Sequence, residues 1–239
     1  YKMESLVYEL NFESAQLAKK AVLEYDSEEK PRFIAGSIGP TNKTASMSPD
    51  VNNPGFREVD FDDLVDSYFE QISALVDGGV DILFVETVFD TLNAKAALFA
   101  IEKYNINNSV SVPTMLSGTL TDASGRTLSG QTLEAFITSV SHINLLSIGL
   151  NCSFGAAGLF PYIKKMSLTT HLPISVHPNA GLPNEFGEYD QSSRQMQNLI
   201  KDFLENRIVN IIGGCCGTTP DHISLISEIA NNYNVRNIN

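Results

Sequence analysis

Short apolar or β-branched runs, each closed by Gly, Pro, Asn or Ser, alternate along the chain with longer stretches whose apolar residues recur every third or fourth position. The short runs are 32–38 (RFIAGSI), 81–88 (DILFVETV), 112–117 (VPTMLS), 145–150 (LLSIGL), 173–176 (PISV) and 208–212 (IVNII), and they predict six strands. The stretch 61–76 follows Asp60, carries Leu64, Val65, Tyr68, Phe69, Ile72, Leu75 and Val76 at helical spacing and stops at Gly78-Gly79, which predicts an amphipathic helix. The segments 4–25, 91–104, 132–141, 158–166, 192–206 and 220–232 read the same way, with Pro220 where a first-turn proline is tolerated.

Strand ends fall at Gly39, Glu86, Ser117, Asn151, Pro178 and Gly214, every 27 to 47 residues. Each strand therefore returns through a helix, and the sheet is expected to be parallel. A doubly wound sheet and a (β/α)8 TIM barrel both suit this α/β rhythm. No G-x-G-x-x-G follows the first strand, and polar residues sit at the end of every strand, which favours the barrel. Six βα units are two short of eight, and the chain opens in a helix. The expectation is one barrel domain over 1–239, truncated at its N-terminus and lacking its first two strands. Such a gap exposes edge strands, which invites self-association.

Composition narrows the function classes. Lys and Arg total 16 against 28 Asp and Glu, a net charge of −12, so binding to a nucleic-acid backbone is not expected. No apolar run reaches the roughly 20 residues that span a bilayer, and Tyr1, Lys2, Met3 and Glu4 do not make a signal peptide, so no membrane association is expected and a cytoplasmic protein is. The cysteines are odd in number, Cys152, Cys215 and Cys216, two of them adjacent, which is poor material for a disulfide framework.

Gly213 to Thr219 (GGCCGTT) lies where the last strand ends. Neighbouring side chains of a regular strand point to opposite faces, so adjacent cysteines serve one site only if the backbone leaves extended geometry. Gly213, Gly214 and Gly217 permit that. Cys152 ends the strand two units earlier, in GLNCS, so a parallel barrel brings all three thiols to the C-terminal rim. Three thiolates with an exchangeable fourth position describe a catalytic zinc. The alternative is a buried Cys152 with a rim pair or redox pair at Cys215-Cys216.

His177, on the intervening strand, reads as a structural hydrogen-bonding residue more readily than as a ligand. Asn179 either offers an amide oxygen as a displaceable fourth ligand or forms the turn before Gly181. Glu86 closes an apolar strand, where a buried carboxylate needs a cation or a donor, and a substrate ammonium is a reasonable partner. Asp90 is a candidate N-cap, and the polar loop Ser117 to Arg126 suits a substrate carboxylate.

These motifs resemble a known family. GGCCGTT with Cys152 in GLNC resembles the three-cysteine zinc signature of the homocysteine S-methyltransferases. The segments 86–95 (ETVFDTLNAK), 117–131 (SGTLTDASGRTLSGQ), 177–183 (HPNAGLP) and 40–52 (PTNKTASMSPDVN) resemble the homocysteine-binding region of the cobalamin-dependent methionine synthases, and the likeness runs from about residue 4 to 230. It implies a (β/α)8 barrel holding zinc through Cys152, Cys215 and Cys216, with Asn179 as the ligand that substrate displaces. It implies homocysteine bound as a thiolate that attacks the methyl group of methylcobalamin, with Glu86 on the substrate amino group and Ser117 and Asn151 also on the substrate side. Methylcobalamin would be carried by another module, and cobalamin- and folate-binding modules of the same enzyme are the implied partners. The Asp-Gly-Ala-Met-Gly-Thr loop and the Thr-Asn-Thr strand end of that family are absent from this sequence. Two other readings remain: a stand-alone homocysteine methyltransferase using betaine or S-methylmethionine, and a non-catalytic zinc or thiol redox protein.

Overall fold

Asp60, Asp90, Thr132 and Ser192 each accept a backbone N–H from the turn that follows, and each opens a helix. Asp60 with Asp63 and Ser192 with Gln195 close reciprocal capping boxes, so two otherwise unpaired donors are satisfied at each start. In the computed structural model, which describes residues 3–238, a 3-10 turn leads into a strict alternation. The elements are α1 (Val7–Leu23), β1 (Ala35–Ile38), α2 (Phe61–Asp77), β2 (Ile82–Val88), α3 (Thr91–Asn108), β3 (Thr114–Gly118), α4 (Leu133–Val140), β4 (Ser147–Gly155), α5 (Ala156–Ser167), β5 (Ile174–Asn179), α6 (Ser193–Glu205), β6 (Ile211–Ile212) and α7 (Pro220–Ala230). Tyr1 and Lys2, which entered the signal-peptide reading, lie outside the described residues. No described helix is long and apolar enough to cross a membrane.

The chain divides into two compact units, 1–115 and 116–239. In the first, β1 pairs with β2 in parallel, Gly36 opposite Leu83 and Ile38 opposite Val85. The α2 face predicted from the sequence packs here, with Leu64, Val65, Tyr68, Ile72 and Leu75 buried. Burial pushes the Tyr68 phenol up to about 12. The end of α2 meets α1 so closely that a Cβ on Gly78 would stand 2.6 Å from the Ala15 Cβ and 2.8 Å from the Phe12 carbonyl oxygen, so only glycine fits.

In the second unit β4, β5 and β6 pair in parallel, Gly149 opposite Ser175 and Ser175 opposite Ile211. A Cβ on Gly149 would lie 2.0 Å from the Ser175 carbonyl oxygen, so this contact also requires glycine. Leu159, Ile163 and Met166 of α5, Met196, Ile200 and Phe203 of α6, and Ile148, Leu150, Ile174 and Val176 of the strands are buried together as the unit's core. The Arg236 guanidinium donates to the carbonyls of Ser167, Thr170 and Leu172, satisfying acceptors beyond α5.

Element boundaries differ from the pattern where local hydrogen bonds intervene. β6 is only Ile211–Ile212; before it Asn210 N–H donates to Ile174 O at 2.8 Å, while the Asn210 side-chain oxygen accepts Ile174 N–H at 3.0 Å. β1 starts at Ala35, since Phe33 is exposed and Arg32 N–H is taken by Asp26. α3 runs past Tyr104 to Asn108 and ends on left-handed Ser109, at φ 54°. β4 extends beyond residue 150 to Gly155, and that extension forms the candidate site.

Candidate metal centre

β4 cannot stay in register with β5 to its end. Asn151 faces His177, whereas Gly155 faces Asn179, so four residues of one strand advance against two of the other. The excess is absorbed by Cys152 and Ser153, both left-handed at φ 61° and 66°. Non-glycine residues in this region cost roughly 1–3 kcal/mol each and persist where the surroundings hold them. Ser153 is held by donating its hydroxyl to the Leu120 carbonyl. The kink carries the Cys152 side chain out of the strand's alternation.

Beyond β6 the chain stays fastened to β5. Cys215 N–H donates to Pro178 O and Ala180 N–H to Cys216 O, each at 2.9 Å. The turn closes at Gly217, φ 76°, and Thr218 N–H returns to Cys215 O. Extended geometry is thus abandoned beside the cysteine pair, which allows adjacent residues to serve one site. The Sγ atoms of Cys152, Cys215 and Cys216 lie within 4.8 Å of one another, at 3.7 Å for Cys152–Cys216 and 3.9 Å for Cys215–Cys216. All three thiols are half-buried.

The neighbours of these sulfurs are amides and a phenol. Asn151, 1% exposed, donates its Nδ2 to Cys215 Sγ at 3.8 Å. Asn179, 2% exposed, accepts Cys216 N–H at its Oδ1 at 3.1 Å and hydrogen-bonds Cys152 through its side chain. Tyr189 reaches the Cys216 sulfur, and burial first, then that hydrogen bond and the thiol charges, hold its phenol protonated above the ordinary range. The hydrogen bond from Cys215 brings Cys152 down to about 5, helped by Ser153 N–H, Cys216 and Asn179 against the opposing effect of burial. Cys215 is pushed up correspondingly, first by its bond to Cys152 and then by burial.

This donor set fits zinc. Zn–S bonds of about 2.3 Å at tetrahedral angles separate the sulfurs by about 3.8 Å. The two separations, 3.7 and 3.9 Å, fall either side of that value, and the donors are soft sulfurs from chain segments already fixed by backbone hydrogen bonds.

The other sequence candidates are placed individually. Ser117, in β3, is fully buried and its hydroxyl has no hydrogen-bond partner. The His177 ring lies across Gly213, whose Cβ would come within 2.7 Å of His177 Cδ2. In the first unit, Glu86 accepts the Ser37 hydroxyl and, at 3.3 Å, that of Thr87. Asp90 caps α3 through Leu92 N–H and also takes the backbone N–H and hydroxyl of Ser46. Sequence reasoning missed Tyr189, a single aromatic in a polar loop with no periodicity to mark it, and the left-handed pair Cys152-Ser153, where no glycine signals the turn.

A family model described as homocysteine S-methyltransferase matches residues 1–230. The chain belongs to the homocysteine S-methyltransferase family. Solved structures of the Escherichia coli homocysteine methyltransferase MmuM share the fold. The apo form aligns with TM-score 0.70 at 22% identity over 94% of this chain and 74% of that one. The metallated form gives 0.70 at 23% identity over 93% and 70%, and the oxidized form 0.68 at 21% over 93% and 70%. The parallel α/β fold is therefore the barrel-like fold expected from the strand rhythm, and the chain is a methyltransferase of the homocysteine class.

Proposed function

We propose that this methyltransferase binds homocysteine at a zinc held by Cys152, Cys215 and Cys216 and presents its thiol to methylcobalamin, as in the homocysteine-binding region of methionine synthases. The convergence of three sulfurs within 4.8 Å carries the reading. Zinc held there would supply a Lewis acid that removes the proton of a thiol otherwise near pKa 8.5, leaving a nucleophile at neutral pH. Three protein thiolates keep the centre electron-rich, so a further sulfur stays reactive toward an alkyl donor. The Asn151 and Asn179 amides orient Cys215 and Cys152 by hydrogen bonds, and Asn179 is assigned the exchangeable fourth position. Glu86 is assigned to the substrate ammonium and the unpartnered Ser117 hydroxyl to the substrate side. The motifs at 40–52, 86–95, 117–131 and 177–183 support methylcobalamin as donor, carried by another module beside a folate-binding one. Three free thiols suit a reducing compartment, which supports the cytoplasm.

Methionine formation from homocysteine is measured with methylcobalamin, S-methylmethionine and betaine in turn. Turnover with methylcobalamin is expected, and turnover only with either of the others reassigns the donor. A chain that binds no zinc and forms a reversible Cys152–Cys216 disulfide, across the 3.7 Å gap, is a redox protein instead. Glu86→Gln should weaken homocysteine binding by roughly 10- to 100-fold, the worth of a charge-assisted hydrogen bond, with zinc content unchanged. Equal affinity would leave Glu86 a structural role, as acceptor of the Ser37 and Thr87 hydroxyls.

A further inference from the structure

The two faces of the β4–β5 pair differ in chemistry. Ile148 and Leu150 of β4 and Ile174 and Val176 of β5 are buried with α5 and α6 as the unit's core. Side chains alternate along a strand, so Ser147, Gly149 and Asn151 of β4 and Ser175 and His177 of β5 share the other face. The inner face of a barrel sheet is ordinarily filled by Val, Ile and Leu. Ser147, Gly149 and Ser175 stand there instead, and they fill far less of that space. Both serines are fully buried, at 0% exposure, and neither hydroxyl has a hydrogen-bond partner among the described residues. The Ser175 hydroxyl lies over β4, since a Cβ on Gly149 would stand 2.3 Å from it. Gly149 is opposite Ser175, and Ser147 precedes Gly149 on the same face by about 6.6 Å along the strand. The two hydroxyls do not bond each other, yet a common partner placed over Gly149 reaches both.

We propose that Ser147 and Ser175 form a binding site for ordered water on the inner face of β4 and β5, with the water bridging their hydroxyls across Gly149. A buried hydroxyl without a partner costs stability, and the large majority of buried side-chain polar atoms are bonded to protein or to water. A hydroxyl–water bond spans about 2.8 Å, so roughly one or two molecules cover the separation. Both residues are closed to solvent and neither carries a charge to pair with an ion, which selects a small neutral ligand able to donate and to accept. Asn151 follows Gly149 on the same face, so the water lies one step below the amide that donates to Cys215. No metal ligand takes part, and the site stands whether or not the thiols hold zinc.

Ser147→Ala and Ser175→Ala, singly and together, remove the hydroxyls from the full chain without adding volume. Their urea midpoints give a sign. Where water is bound, each alanine takes one partner from it and the midpoint falls, whereas deleting a hydroxyl that bonds nothing removes an uncompensated polar group and raises the midpoint. Magnetic relaxation dispersion of water oxygen-17 counts long-lived internal waters, and the double variant is expected to lose roughly one or two relative to the unsubstituted chain. A high-resolution crystal structure of the unsubstituted chain is expected to show water within about 3.2 Å of each hydroxyl, and it decides the matter even if a variant does not fold. A raised midpoint in both single variants, an unchanged water count in the double variant, or clear density with no water at the two serines would overturn the proposal.

Discussion

The ends of β2 and β4 each leave the strand through left-handed residues, Thr87 in one and Cys152-Ser153 in the other, yet they use their polar groups in opposite ways. After β2, the Asp90 carboxylate takes Leu92 N–H, Ser46 N–H and the Ser46 hydroxyl. Asn93 beside it accepts Ala45 N–H and donates to Thr41 and Lys43 O. Both residues are almost fully buried, and their bonds fasten the loop between β1 and α2 to the start of α3. At β4 the amides of Asn151 and Asn179 turn instead toward sulfur, a weak acceptor that stabilises a fold little. Buried polar groups that satisfy one another describe a joint in the scaffold. Groups converging on three ionisable sulfurs, which share protons until a cation displaces them, describe the candidate metal site.

One pair of substitutions should separate the two ends most widely. Cys215→Ala is expected to weaken zinc binding roughly a thousandfold, about 4 kcal/mol of the roughly 10–16 kcal/mol that such a ligand set supplies. Its effect on the melting of the metal-free chain should be small, since a half-buried thiol contributes little packing. Asp90→Asn should do the reverse. It leaves zinc content unchanged but lowers stability by about 2 kcal/mol, because a buried acceptor of three hydrogen bonds becomes a group with two donors of its own. Metal analysis with urea denaturation of both variants decides this, and zinc lost from Asp90→Asn would erase the distinction.

The thiols also predict a chemical signature. With Cys152 brought down to about 5, the metal-free chain at pH 6 should alkylate first at Cys152, while Cys215, donating to it, stays protonated. An ordinary thiol near 8.5 is almost wholly protonated at that pH, so Cys152 should lead by about five- to tenfold even after allowing for the lower nucleophilicity of a low-pKa thiolate. Because its folded value lies below the unfolded one, the Cys152 thiolate contributes stability that is complete above about pH 8.5 and lost as pH falls through about 5. Cys215 is shifted the other way and offsets this, so mass-spectrometric labelling isolates Cys152 better than melting does. Uniform labelling of the three cysteines would mean that the sulfurs do not share a proton.

Much of this was legible in the sequence, and the rest for definite reasons was not. Alternating runs marked every strand and helix, because a period of two or of 3.6 follows directly from which face is buried. The rim position of Cys152, Cys215 and Cys216 followed from strand ends alone. What no pattern contains is backbone accommodation. The slip between Asn151 and Gly155 needs left-handed Cys and Ser, residues with no preference for that region, and ends where Gly155 packs against Gly181, a Cβ there standing 3.2 Å from the Gly181 Cα. The role of Asn179 stayed open between turn and ligand because its hydrogen bond to Cys216 N–H spans 37 residues. Tyr189 was silent for the same reason, its partners lying on another strand's loop.

The smallest expected effect tests how far the contrast extends. Each unit contains a reciprocal capping box at an exposed helix start, Asp60 with Asp63 in the first and Ser192 with Gln195 in the second. If the units differ only at their strand ends, these caps should behave alike, since each satisfies the same orphan N–H groups in water. Asp60→Ala and Ser192→Ala should each lower stability by about 1 kcal/mol, with Asp60 slightly the more costly because a carboxylate also favours the positive end of the helix dipole. Raising salt should remove that excess and leave the serine variant unmoved, because only the charge is screened. Urea midpoints at low and high salt measure both. A Ser192→Ala loss of 3 kcal/mol would show that the start of α6 is held through more than its cap. Because α6 follows the loop bearing Tyr189, zinc affinity would then have to be remeasured in that variant, where no change from wild type is expected.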